Sequence, residues 1–195
     1  MDQERLRKAI DAIDATNAAD PNRILVEGEE RPKELAHAEL VTEWVRRLRP
    51  EAGEPLLLAA RAHHLRRWAV PRSTYPEGRA GYLRWRRDLH ERHAAETAEI
   101  LRDAGYDEAT VARVGDIVRK RNLKSDPDVQ ALEDALCLVF LQTQFHDLAD
   151  RLEHAKTVEV VRKTLAKMSD DGKRYALGIP QQAEDAALLE EALAG

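Results

Sequence analysis

The chain has 195 residues, 43% of them hydrophobic and 34% charged. That is long and apolar enough to bury roughly 70% of the surface its unfolded form exposes, which excludes an intrinsically disordered protein. A net charge of −5 argues against a basic domain that coats nucleic acid, and a lone Cys137 excludes an internal disulfide and a cysteine-built zinc site.

Leu6, Ala9, Ile10 and Ile13 recur at helical spacing and predict a first helix from near Asp2 to Asn17, ending before Asp20-Pro21. The run from Ile24 to Glu29 is too short for a helix and reads as an extended turn. Pro32 suits the first turn of a second helix carrying Leu35, Val41, Trp44, Val45 and Leu48, which Pro50 ends. Pro55 opens a third, apolar nearly all round through Leu56-Leu57-Leu58-Ala59-Ala60, and therefore central. It runs into Arg66-Arg67-Trp68, and Pro71, Pro76 and Gly78 mark an irregular loop from Ala69 to Arg79.

A long helix follows from about Ala80 to Ala104, with Gly105 at its C′ position. Asp107 and Asp126 read as N-caps of the next two helices, and Thr157 and Ser169 as N-caps of two more. Pro180 precedes a last, Ala/Leu-rich helix. No repeat, low-complexity tract or domain boundary interrupts the pattern, so one all-α, compact multi-helix domain is expected over residues 1–195. No segment has the length of a membrane span, and the charged start Asp2-Gln3-Glu4-Arg5 lacks the apolar run of a signal peptide, so a cytoplasmic protein is expected.

Charge is unevenly spread. Residues 61–92 hold nine Arg against Glu77, Asp88 and Glu91, a local excess of about +6 on an acidic chain. Such a stretch suits a phosphate or carboxylate ligand; a solvated, salt-bridged helix face is the alternative. Four of the seven histidines fall at suggestive places. His37 opens the pattern His37-x-x-x-Val41-x-x-Trp44, His63 and His64 end the most apolar helix, and His93 precedes the inward stripe of Ala94, Ala98 and Leu101. Asp134 stands with Glu133 just before a fully apolar run, where an ionised carboxylate needs a cation or hydrogen-bond donors. Cys137, inside that run, reads as core. His90, His146 and His154 sit among charges and are expected at the surface.

This order resembles the HD-domain phosphohydrolases, whose helical core binds metal through a His, a His-Asp doublet and a distant Asp. Leu58-Ala59-Ala60-Arg61-Ala62-His63-His64 is similar to the doublet helix, with His64 where Asp is usual. The resemblance implies an HD-like fold and a divalent metal held by His64, Asp134 and one or more of His37, His63 and His93. Imidazole in place of the carboxylate favours manganese, iron, nickel or zinc over magnesium. It further implies phosphate contacts from Arg66, Arg67, Arg72, Arg86 and Lys120, with Glu133 or a non-ligating His63 moving protons. Trp68 and Tyr75, beside the arginines, would line the pocket.

A closer resemblance spans nearly the whole chain. The segments Arg31-Pro32-Lys33-Glu34-Leu35, His64-Leu65-Arg66-Arg67-Trp68, Pro71-Arg72-Ser73-Thr74-Tyr75-Pro76, Gly81-Tyr82-Leu83-Arg84-Trp85-Arg86 and the run from Leu132 to Phe140 are similar to the domain-of-unknown-function family 4202. That likeness names kin and implies no reaction. Two functions stay open: a metal-dependent phosphohydrolase acting on a phosphorylated small molecule or nucleotide, and a non-catalytic helical module that binds a phosphate-bearing ligand, an acidic peptide or RNA through its arginines. No Gly-rich phosphate loop or dinucleotide fingerprint occurs, which argues against kinase-like and redox chemistry.

Overall fold

The computed structural model describes residues 2–26, 28–180 and 182–194. Ten α-helices lie among them: α1 (Gln3–Asn17), α2 (Lys33–Leu48), α3 (Glu54–Ala62), α4 (Gly78–Asp103), α5 (Glu108–Val118), α6 (Pro127–Thr143), α7 (Phe145–Ala149), α8 (His154–Leu165), α9 (Asp170–Leu177) and α10 (Ala183–Ala194). The fold class is all-α, as the periodicities predict. No helix of the described residues is long and apolar enough to cross a membrane.

Helix α3 is the hub. Leu56, Leu58, Ala59, Ala60 and Ala62 are buried, and the helix packs against α1, α2, α4, α5 and α6. Each of its leucines removed from water contributes about 2 kcal/mol, and its alanines let neighbouring helices approach closely. Around it α2 packs on α6 and α4 on α5, while α8 with α10 and α9 on α6 extend the bundle.

The caps follow local chemistry. Asp107 accepts from Thr110 N at 2.7 Å, and Asp126 from Asp128 N and Val129 N at 3.0 and 3.3 Å. After α4 the Tyr106 N–H reaches Leu101 O across Gly105, whose φ of +91° a glycine adopts without strain. Thr157 departs from expectation: it lies inside α8, buried, its hydroxyl donating back to Glu153 O at 3.2 Å. Ser169 does cap α9, accepting from Gly172 N.

The expected extended turn is an antiparallel hairpin of β1 (Arg23–Val26) and β2 (Glu29–Pro32), with Gly28 at positive φ in its turn; Glu27 lies outside the described residues. Helix α3 ends at Ala62, short of the His63-His64 pair and of Arg66, into which it was expected to run. The chain turns through His63 to Arg66, makes 3-10 turns at Arg67–Ala69 and Arg72–Thr74, and enters α4. Arg72 holds this loop by donating to Tyr75 O, Pro76 O and Gly78 O at 2.9, 2.8 and 3.3 Å. A Cβ on Gly81 would lie 1.9 Å from Pro76 O, so only glycine lets the loop close onto α4 there.

Candidate functional site

The end of α3, the start of α2 and the middle of α4 meet beside this loop. Asp20 starts α2 by accepting from Glu34 N at 3.0 Å, a capping role that Pro32 has no side chain to fill. Glu34 in the first turn and His37 one turn on therefore share a face. The chain reversal after α3 brings His64 against them. Glu34, His37 and His64 each offer a ligand atom, all within 4.8 Å of one another, a group able to hold a metal ion.

The hydrogen bonds define proton positions. Arg67 Nη1 donates to His64 Nε2 at 3.1 Å, and a guanidinium cannot accept. His64 therefore carries its proton on Nδ1 and donates to Glu34 Oε2 at 3.2 Å. Arg67 Nε lies 4.0 Å from Glu34 Oε1. His63 and His93 donate from Nδ1 to Ala60 O and Leu65 O, both at 2.8 Å, which leaves each Nε2 as a lone pair. The His93 Nε2 and His37 Nε2 are buried and partnerless among the described residues. The His64 ring lies 4.2 Å from that of His63 and 5.9 Å from that of His93, centre to centre.

Burial sets the charge states. It drives His37 down to about 4, helped by Lys33 and Arg67, and His63 and His93 down to about 3. His64 is held well below its usual value by burial and by the neighbouring His63 and Arg67. These are neutral imidazoles, the form that binds metals. Glu34 is pushed up to about 7 by burial, against the opposing pull of Arg67 and Lys33. A buried carboxylate poised near neutrality is one that lacks a full counter-charge.

Glu34 and Arg67 reach the wall of a cleft of about 490 Å³, shared with Asn22, Arg23, Lys33, Trp68, Val70, Pro71 and Trp85. Three cations thus face it against one carboxylate. The Arg67 guanidinium lies over the Trp85 ring, 4.9 Å from its centre, and Trp85 Nε1 donates to Val70 O at 2.9 Å. Trp68 lines the cleft.

The other expected site residues divide. His37, His63, His64 and His93 come together. Asp134 stands apart from them: its carboxylate accepts from Gln130 Nε2 at 2.9 Å and from Ser169 N and Oγ at 2.9 and 2.5 Å, tying α6 to the start of α9. Its burial is satisfied by donors rather than by a cation. Glu133 pairs with Lys120 and lies 3.9 Å from Lys167. Burial pushes the Glu133 carboxyl up, and Lys120, Lys167 and Arg86 outweigh it and hold it below its usual range. Arg72 is spent on the loop, Tyr75 donates to Asp88 at 3.1 Å, and Arg66 is exposed, its backbone N–H bonded to Asn17. Arg86 lies near the Tyr82 ring, 5.9 Å from its centre, outside the cleft wall.

Cys137 is buried, and burial pushes its thiol up to about 12, as befits a core residue. His90 corrects the surface expectation. It is half-buried, driven down to about 4 by burial and by Lys120 and Arg86. Sequence reasoning passed over Glu34, Asn22, Arg23 and Lys33. The available signal was the Glu34-x-x-His37 spacing at a helix start, one face of one turn.

Neither the curated proteins nor the solved structures contain a match to this chain. The family model described as "Domain of unknown function (DUF4202)" matches residues 7–189, and the chain belongs to that family.

Proposed function

We propose that this protein is a metal-dependent hydrolase of phosphate esters, with Glu34, His37 and His64 as its metal ligands and a phosphorylated small molecule as its substrate. One observation carries the reading. Within and beside the group of Glu34, His37 and His64, two imidazole nitrogens, His37 Nε2 and His93 Nε2, are buried with no hydrogen-bond partner among the described residues. An unpartnered imidazole nitrogen in a protein interior is unfavourable, and a metal ion is a ligand that neutral imidazoles and a carboxylate can jointly hold. The Nδ1–H bonds of His63 and His93 to backbone carbonyls fix ring orientation as the outer partners of ligating histidines do.

The donor set of nitrogen and one carboxylate suits manganese, iron, nickel or zinc. Bound there, such an ion supplies Lewis acidity toward a water nucleophile and a phosphoryl oxygen. The protein's own residues do the rest. Arg23, Lys33 and Arg67 line the cleft with charge for the phosphate oxygens, and Arg67 offers the planar fork that matches them in pairs. Trp68 and Trp85 give the organic part an apolar wall that excludes water.

The test is metal content by mass spectrometry on untagged protein, before and after reconstitution with each of the four metals, followed by phosphomonoester turnover. Near-stoichiometric metal that is lost in Glu34→Gln and His37→Ala supports the reading; its absence from reconstituted wild type sinks it. A second reading rests on the Arg67 N–H donated to His64 Nε2, since a guanidinium at that atom makes the group self-sufficient without metal. On that reading the cleft is a non-catalytic site for a phosphate-bearing ligand or RNA, with affinity that falls steeply as salt rises.

A further inference from the structure

We infer that the cleft takes its metal ion and its oxyanion as a pair, and that Arg67 exchanges between the two. The inference rests on the metal reading above and adds how the site fills.

Arg67 touches both partners' places at once. Its Nη1 donates to His64 Nε2 at 3.1 Å, an atom that a metal would need, and its Nε lies 4.0 Å from Glu34 Oε1. The other His64 nitrogen is already bonded to Glu34. The same guanidinium forms part of the cleft wall beside Arg23 and Lys33. Arg67 is thus a cation that partly offsets Glu34. A divalent ion on Glu34, His37 and His64 repels it, and only the head of the side chain needs to turn. At 4.9 Å from the ring centre the guanidinium lies over Trp85, whose indole is anchored to Val70 O, and Arg66 before it holds a left-handed backbone with φ +51°.

Turned into the cleft, Arg67 would join Arg23 and Lys33 as a third unpaired cation. An oxyanion there draws the guanidinium away from His64 and frees the ligand nitrogen; a metal drives the guanidinium toward the oxyanion. Each ligand lowers the cost of the other, and thermodynamic linkage makes the coupling equal in both directions. The ligand class is a tetrahedral dianion of the phosphate-monoester type. Arg67 is accordingly a positioning residue for both ligands.

The experiment is calorimetric titration of Mn²⁺ into metal-stripped, untagged protein, in sulfate and in chloride at equal ionic strength. Sulfate is expected to tighten Mn²⁺ binding by ~10-fold in wild type. Arg67→Met is expected to bind Mn²⁺ more tightly than wild type in chloride, because the competing guanidinium is gone, and to lose most of the sulfate effect. Mn²⁺ binding equal or weaker in Arg67→Met, or a sulfate effect of the same size in both proteins, overturns the exchange while leaving the metal site intact. No Mn²⁺ in either protein overturns the metal reading itself. If Arg67→Met fails to fold, the wild-type protein still decides: the Arg67 side-chain N–H resonance must shift on adding zinc and sulfate together, and an unmoved resonance rejects the exchange.

Discussion

Ser169 caps helix α9 and at the same time gives both its backbone N–H and its hydroxyl to Asp134, at 2.9 and 2.5 Å. The Asp134 carboxylate also meets Gly172, where a Cβ would come within 2.7 Å of its carbon. Asp134 is therefore a structural joint between α6 and α9. Asp134→Ala takes the acceptor from three donors, Gln130 Nε2 and Ser169 N and Oγ, and leaves a small void, and is expected to cost about 2–4 kcal/mol while leaving metal uptake unchanged. Urea midpoints together with metal content check this. Loss of metal from a still-folded Asp134→Ala would return Asp134 to the ligand set.

The Lys120–Glu133 pair is nearly dry, with Glu133 side-chain exposure of 5%. Lys120 reaches it from a left-handed backbone, φ +58°, which costs a non-glycine residue about 1 kcal/mol. Removing only the lysine leaves a buried carboxylate with Lys167 at 3.9 Å as its remaining partner. Lys120→Met is expected to destabilise by about 3 kcal/mol, and adding Glu133→Leu to recover most of it. A double-mutant cycle by urea denaturation reads the coupling, and additive losses would show that the pair is not a unit.

Arg72 joins three carbonyls of the loop between α3 and α4 and lies off the cleft wall. Arg72→Ala is expected to loosen that loop without unfolding the bundle. Hydrogen exchange at Thr74 and Tyr75, whose N–H groups bond to Pro71 O and Arg72 O, should speed up by ~10-fold or more while the amides of α3 keep their protection. Equal acceleration in α3 would mean the arginine stabilises the whole fold.

Most helices were legible because they carry an apolar stripe or an apolar run and most caps have one local reading, whereas α7, five residues long, is too short to show a period. Thr157 misled because a hydroxyl inside a helix can bond back to the carbonyl four residues earlier, and sequence does not separate that from capping. The hairpin escaped because four-residue strands such as Arg23–Val26 carry too little alternation to register. The histidines were legible as a group since they sit at the ends and inner faces of recognisable helices. Glu34 was not, because what makes it a site residue is a contact with His64 across a chain reversal, a relation that no local pattern encodes. Asp134 shows the converse: its place before an apolar run foretold burial but not which donors would meet it.

In the metal-free chain, pH acts through the buried site in two opposed ways. Unfolded imidazoles take up protons below about 6.5, while folded His37 does so only near 4 and His63 and His93 near 3. Between those values the unfolded state binds more protons, so their contribution is complete above about 6.5 and is lost as pH falls. Tm should therefore drop steeply from pH 6.5 to 4, and a flat profile would contradict neutral, buried histidines.

Glu34 works the other way, since the folded chain keeps its proton up to about 7 while the unfolded chain releases it near 4.5. As pH rises between those values the fold loses stability, and above 7 it carries the full cost of an ionised, under-compensated carboxylate. Glu34→Gln removes that cost and keeps an oxygen for the His64 N–H. It is expected to stabilise the metal-free protein at pH 8 by about 1–3 kcal/mol, to have little effect at pH 5, and to abolish metal uptake. Thermal denaturation of both proteins at the two pH values, with chelator and with zinc, separates these effects. A Glu34→Gln protein less stable than wild type at pH 8 in chelator would mean that Arg67 already compensates the carboxylate, leaving the metal no charge to neutralise.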